Sequence, residues 1–139
     1  MKRLAIIWHS MTGGSKALAE AAASGATNAS DVETLLLHAD DASPQTLLEA
    51  DGYIFAFPEN LAAISGVMKA FFDGSNAVRQ AERIATGWRL KRIADSLIVC
   101  THAQTPKEIL APKTISEADL STAGELGAAM AEGLALGIF

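Results

Sequence analysis

The chain has 139 residues, half of them hydrophobic, and a formal net charge of −5. That apolar share is too high for broad disorder, and the length suits one domain, 1–139, that buries roughly two thirds of its unfolded surface without disulfides or metal. Basic residues cluster only at Lys2-Arg3 and Arg89-Leu90-Lys91-Arg92, which argues against a nucleic-acid partner.

Residues 4–8, Leu-Ala-Ile-Ile-Trp, are apolar throughout, as a buried parallel strand requires. The run ends at His9 and enters Ser10-Met11-Thr12-Gly13-Gly14-Ser15, which leads straight into the Ala-rich helical pattern of residues 14–26. A strand–turn–helix unit of this kind forms an anion site for a physical reason. The first helical N–H groups lack partners within the helix, and the helix dipole places partial positive charge there. Gly13 and Gly14 let the backbone approach a bound group, and Ser10, Thr12 and Ser15 add short hydroxyl donors. No Lys or Arg lies inside the turn, so a phosphate there is expected to be held mainly by neutral donors. The plain alternative is a Gly/Ser turn that only caps a helix. Two other phosphate loops are excluded, because neither Gly-x-x-x-x-Gly-Lys-Ser/Thr nor Gly-x-Gly-x-x-Gly fits.

The first helix presents Leu18, Ala22 and Ala26 on one face. A second strand is expected within residues 31–37. Ser43-Pro44 then opens a short helix, with Ser43 as cap and Leu47 and Leu48 as its buried residues. Residues 51–58, Asp-Gly-Tyr-Ile-Phe-Ala-Phe-Pro, read as the third strand, stopped by Pro58. A small-residue loop follows over 59–66. A helix over 67–73 carries Met68, Phe71 and Phe72 as core residues, and another over 76–88 carries Val78, Ala81, Ile84 and Ala85. Residues 96–101 are expected to be a strand, 101–106 a loop, and 121–136 a closing helix with Leu126, Ala129, Met130 and Leu134 apolar. The alternation of strand and helix predicts parallel βαβ units in a doubly wound sheet. In such sheets ligands bind beyond the carboxyl ends of the strands, where the turns after the first and third strands lie.

Ser10-x-Thr12-Gly13-x-Ser15 resembles the Ser/Thr-x-Thr-Gly-x-Ser/Thr phosphate loop of flavodoxin-like proteins. A second anchor is the strand over 51–58 ending in Pro58, followed by a loop and Ser65-Gly66-Val67-Met68-Lys69-Ala70-Phe71-Phe72-Asp73. This looks like the NAD(P)H-dependent FMN reductase and NAD(P)H:quinone oxidoreductase branch of that superfamily. The resemblance covers residues 1–73 well. It implies a flavodoxin-like, three-layer α/β/α doubly wound sheet and FMN as cofactor. Ser10, Met11, Thr12, Gly13, Gly14 and Ser15 would hold the phosphate. Pro58, Glu59, Asn60, Leu61 and Ala62 would flank the isoalloxazine, mostly with backbone groups. The activity implied is hydride transfer from NAD(P)H through FMN to a quinone or another small acceptor, in a dimer or tetramer. Flavin would carry the redox chemistry, so no catalytic side chain is required. A pure electron carrier fits less well, since 59–66 holds no aromatic to stack on the ring.

After helix three the family has a fourth strand whose end supplies a further flavin loop. Here Asp73 runs through Gly74-Ser75-Asn76 directly into a helical pattern, which predicts four strands in place of five. Either the strand is deleted, or the sequence omits a segment that the protein contains. An intact mass of 14.5 kDa would exclude the omission. A chain that has lost one flavin loop has an alternative role, as a non-catalytic flavodoxin-like protein acting through a protein partner.

Other chemistry reads as structural. The single Cys100 is expected to be a small core residue, and it lacks the downstream Arg of a low-molecular-weight phosphatase. One cysteine fits a reducing cytosol, hence cytoplasmic localisation. His9-Ser10 and Pro58 occupy the places where a receiver domain needs acidic residues. His9 reads as a satisfied strand-end group, Glu59 as a solvated loop carboxylate, and Trp8 and Trp88 as core or interface residues. His102 is not expected to pair with Cys100. No cluster has metal-ligand spacing, and no run of about 18 apolar residues is long enough for a membrane span. The apolar run after Lys2-Arg3 is too short for a signal peptide.

Overall fold

The computed structural model describes residues 1–58, 76–103 and 105–139. In chain order the elements are β1 (Lys2–Trp8), α1 (Gly14–Ala26), β2 (Val32–His38), a 3-10 turn (Ala39–Asp41), α2 (Pro44–Glu49), β3 (Gly52–Ala56), α3 (Asn76–Gly87), α4 (Pro106–Leu110) and α5 (Glu117–Ala135). They fall into two compact units, Met1–Phe57 with Pro112–Phe139, and Pro58–Ala111.

The first unit holds a parallel sheet of order β2-β1-β3. The register runs from Lys2 opposite Val32 to Trp8 opposite His38 on one side, and from Leu4 opposite Gly52 to Trp8 opposite Ala56 on the other. β1 is central, so its side chains are covered on both faces, and Leu4, Ala5 and Ile6 are fully buried. This is why the strand is apolar throughout instead of alternating. Burying Leu4 and Ile6 contributes about 1.5–3 kcal/mol each.

α1 and α5 pack against each other and onto the sheet. Their crossing is close because small residues meet there. A Cβ on Gly25 would run into the carbonyl of Gly124, and one on Gly127 into the carbonyl of Ala22. α5 buries Ala123, Gly127, Met130, Ala131 and Leu134, while Ala129 is exposed. Its cap is Ser116, whose Oγ accepts the Asp119 N–H at 3.2 Å, so the helix begins before the expected residue 121. α2 starts as expected, with Ser43 Oγ accepting the Thr46 N–H at 3.1 Å and Pro44 in the first turn. Leu48, expected to be buried, is 82% exposed, because a six-residue helix turns only one narrow face inward.

In the second unit, α3 is followed by irregular chain and then by α4, which closes a capping box between Thr105 and Glu108. Arg92 pairs with Glu82 and, at 3.2 Å, with Asp95. Residues 96–101 are not a strand. Ile98 is 55% exposed and the segment has no ladder partner among the described residues, and an apolar run becomes a strand only where a neighbour accepts its hydrogen bonds. Cys100 is therefore exposed and not a core residue. Ile84 and Trp88 are also more than half exposed. The parallel α/β architecture expected from the alternation is present, with three strands among the described residues against the four or five expected. The predicted helix over 67–73 lies outside the described residues.

Candidate functional site

The site is built at the carboxyl end of β1. The His9 N–H donates to the Ala56 carbonyl at 3.0 Å, so β1 and β3 end side by side. The chain then turns through residues 10–13. Ser10 Oγ accepts the Gly13 N–H at 2.9 Å, folding the turn back on itself. Gly13 is the N-cap of α1 with φ 95° and ψ −12°, left-handed backbone that a side chain strains. Its carbonyl accepts the first helical bond, from the Ala17 N–H at 3.0 Å.

No side chain caps α1, and its first turn holds no acidic residue. The amides from Gly14 to Lys16 thus start the helix without an intrahelical partner, at the positive end of its dipole. A Cβ placed on Gly13 would meet nothing within 4 Å, so the space over the turn is open. Ser10, Thr12 and Ser15 are half-buried and Met11 is 65% exposed. Amides and hydroxyls beside open space at Gly13, with no carboxylate in the first turn, suit an anion with several oxygens.

Aromatic and cationic groups frame the turn. Trp8 meets His38 edge-on, with ring centroids 4.8 Å apart, and the His9 and His38 rings are 5.8 Å apart. His38 Nδ1 accepts the Asp40 N–H at 3.2 Å and so caps the 3-10 turn, which gives this imidazole a structural task. Lys16 Nζ lies 5.6 Å from the centre of the Trp8 ring and 4.0 Å from the Glu20 carboxylate.

The structure brings Ser10, Met11, Thr12, Gly13, Gly14 and Ser15 together in one turn. Pro58 is half-buried at the start of the second unit. Glu59, Asn60, Leu61 and Ala62 lie outside the described residues. Sequence reasoning missed the strand of chain that backs the turn. The Lys113 N–H donates to the Thr12 carbonyl at 2.8 Å, and Lys113 and Ile115 pack against Gly14. The contact is purely tertiary, so no local pattern announced it. It also missed that Cys100 Sγ and His102 Nδ1 approach to 3.6 Å, since the expected strand geometry was wrong there. Among the described residues no group of His, Cys, Asp or Glu could hold a metal ion, and no helix is long and apolar enough to cross a membrane.

No family model matches the chain. A flavodoxin of Aquifex aeolicus (strain VF5) is 37% identical over 73 residues, which is 52% of this chain. The matched stretch spans 40% of that protein's length. Among solved structures, a flavodoxin from the domain Archaea superposes with a TM-score of 0.65 at 16% identity, covering 95% of this chain and 98% of the other. The fold is therefore flavodoxin-like.

Proposed function

We propose that this chain binds FMN with its phosphate in the turn from Ser10 to Ser15, and that it is an oxidoreductase moving a hydride from NAD(P)H to a quinone or another small acceptor. The observation that carries this reading is the turn itself: left-handed Gly13, open space above it, and an uncapped helix start free of acid. Both similar proteins bear the name flavodoxin, which supports the FMN-binding part of this reading.

The residues present fit the group. Thr12 and Ser15 would donate hydroxyl hydrogen bonds to phosphate oxygens, together with the first amides of α1. Ser10, already accepting the Gly13 N–H, would hold the turn in shape. Pro58 and the residues after it, Glu59 to Ala62, would border the ring. When bound, FMN supplies the two-electron chemistry, and the protein supplies binding, orientation and electrostatics. No side chain of the turn needs to act as nucleophile or base.

The test is a titration of the purified protein with FMN, read by quenching of flavin fluorescence, in wild type and Thr12→Val. Removing one hydroxyl donor to a dianion is expected to weaken binding about tenfold while the thermal midpoint stays unchanged. Oxidation of NAD(P)H by the loaded protein in the presence of a quinone would then separate the reductase from a one-electron carrier. A second reading is favoured by the sheet having three strands among the described residues and by residues 96–101 failing to form a strand. In that reading the protein has lost FMN and acts through a protein partner. Absence of binding at micromolar flavin would select it.

A further inference from the structure

β3 is an outer strand of the sheet: it pairs with β1 and has no second neighbour among the described residues. One row of its N–H and C=O groups therefore faces no strand there. Proteins protect such edges with charge, proline or a bulge, because an unprotected one invites pairing with another chain. β2, on the other side of the sheet, carries Glu33, which pairs with Arg3. β3, Gly52-Tyr53-Ile54-Phe55-Ala56, carries neither charge nor proline. Its Tyr53 and Phe55 rings stack with centroids 6.0 Å apart, and Phe55 and the following Phe57 are both more than a third exposed.

The second unit holds a segment that suits this edge. Ser96-Leu97-Ile98-Val99-Cys100-Thr101 has the apolar, β-branched and uncharged composition of an interior strand. Its exposure alternates with the period of a strand: Leu97 and Val99 are half-buried, while Ser96, Ile98 and Cys100 are exposed. It nevertheless has no ladder partner among the described residues. Its six residues match the five of β3 in length.

We propose that two copies of this chain form a closed dimer in which residues 96–101 of each copy add to the outer edge of β3 in the other. Main-chain hydrogen bonds supply the pairing, as in other cases of strand addition, and the apolar side chains of both strands supply the burial. A second copy is the occupant because the edge and the segment that suits it occur once each in every chain. A two-fold pair therefore satisfies both edges by the same contact and leaves none over, so the assembly closes at two. The proposal does not depend on the reading of the turn over 10–15.

The experiment measures the mass of the full chain by light scattering over a dilution series, together with hydrogen exchange of the amides in 52–56 and 96–101. The expected mass is twice 14.5 kDa, with both segments protected in the dimer. Proline then tests the ladder itself. Consecutive residues of a strand direct their N–H groups to opposite edges, so of Ile98→Pro and Val99→Pro only one removes a donor that faces β3. That variant should raise the dissociation constant about tenfold or more and expose both segments to exchange together, while the other stays within about threefold of wild type. The helical circular dichroism should be unchanged in both. Four results would overturn the proposal: a wild type that is monomeric throughout the series, whether its two segments are protected within one chain or exchange freely; a dimer in which either segment exchanges freely; a mass that climbs past two copies with concentration; or an equal response to the two prolines. Should either variant fail to fold, the mass and the exchange pattern of wild type decide the matter alone.

Discussion

The two ends of the parallel sheet are built by opposite rules. At the amino end, charge meets charge. Arg3 pairs with Glu33 at 2.6 Å and with Glu49 at 2.7 Å, and Lys2 pairs with Asp51 at 3.0 Å. Asp51 also accepts the Arg3 N–H at 2.9 Å, while its own N–H donates to the Arg3 carbonyl at the same distance. At the carboxyl end, the turn over 10–15 has no charged residue, an uncapped helix start and one residue in left-handed conformation. One end has its polar groups paired within the protein. The other leaves the first amides of α1 without an intrahelical partner and needs a glycine in left-handed backbone. Paired groups stabilise; unpaired donors beside open space are what a ligand needs. The strands between the ends are the support both depend on.

The largest expected effect cuts that shared support. Ile6→Ala should cost about 2–5 kcal/mol, as large-to-small changes in a well-packed core do. Urea unfolding followed by circular dichroism should show the lower midpoint, and flavin binding should weaken in parallel. If the midpoint fell while flavin affinity held, the turn would not depend on the sheet's centre. Gly13→Ala sharpens the comparison at the carboxyl end alone. A Cβ there meets no atom but sits at φ 95°, so the cost is about 1–2 kcal/mol from the backbone alone. FMN affinity should drop more than riboflavin affinity. An unchanged midpoint would mean that the turn relaxes to another conformation and that its shape is not held by the surrounding contacts.

The sequence made the site legible where chemistry is local. The turn over 10–15 was readable because glycine, short hydroxyls and a strand–helix boundary each act within a few residues. β1, α1 and α2 were readable for the same reason, through an apolar run, an Ala-rich period and the Ser43-Pro44 start. Residues 96–101 misled because their β-branched, apolar composition is only half of what a strand needs. The other half is a hydrogen-bonding neighbour, which composition does not encode. Leu48 misled because a short helix offers too little surface to bury two adjacent leucines. Lys113 was invisible because its placement against Thr12 and Gly14 follows from how α5 docks on α1, where Gly25 and Gly127 allow close approach. A resemblance to a family supplied the roles expected of Pro58 and of Glu59 to Ala62, which no physical pattern in those residues carries.

The smallest expected effect lies at the amino end and is read against pH. The Asp51 carboxyl is held below the usual carboxylate range, first by the Arg3 backbone N–H and then by Lys2. A carboxyl depressed in the folded state stabilises fully above its unfolded value, near pH 4, and that contribution disappears as pH falls through the folded value. Glu49 is lowered as well, chiefly by the hydrogen bond from Gln45 and then by Arg3, so the amino end as a whole should weaken on acidification. Asp51→Asn should flatten the fall of the thermal midpoint between about pH 5 and pH 2, because an amide cannot take up the proton that the carboxylate does. At neutral pH the loss should stay below about 1 kcal/mol, since these pairs are exposed. FMN affinity should not move. A change in flavin binding with Asp51→Asn would show that the paired end and the open end are coupled through β1, and the division of labour between them would have to be given up.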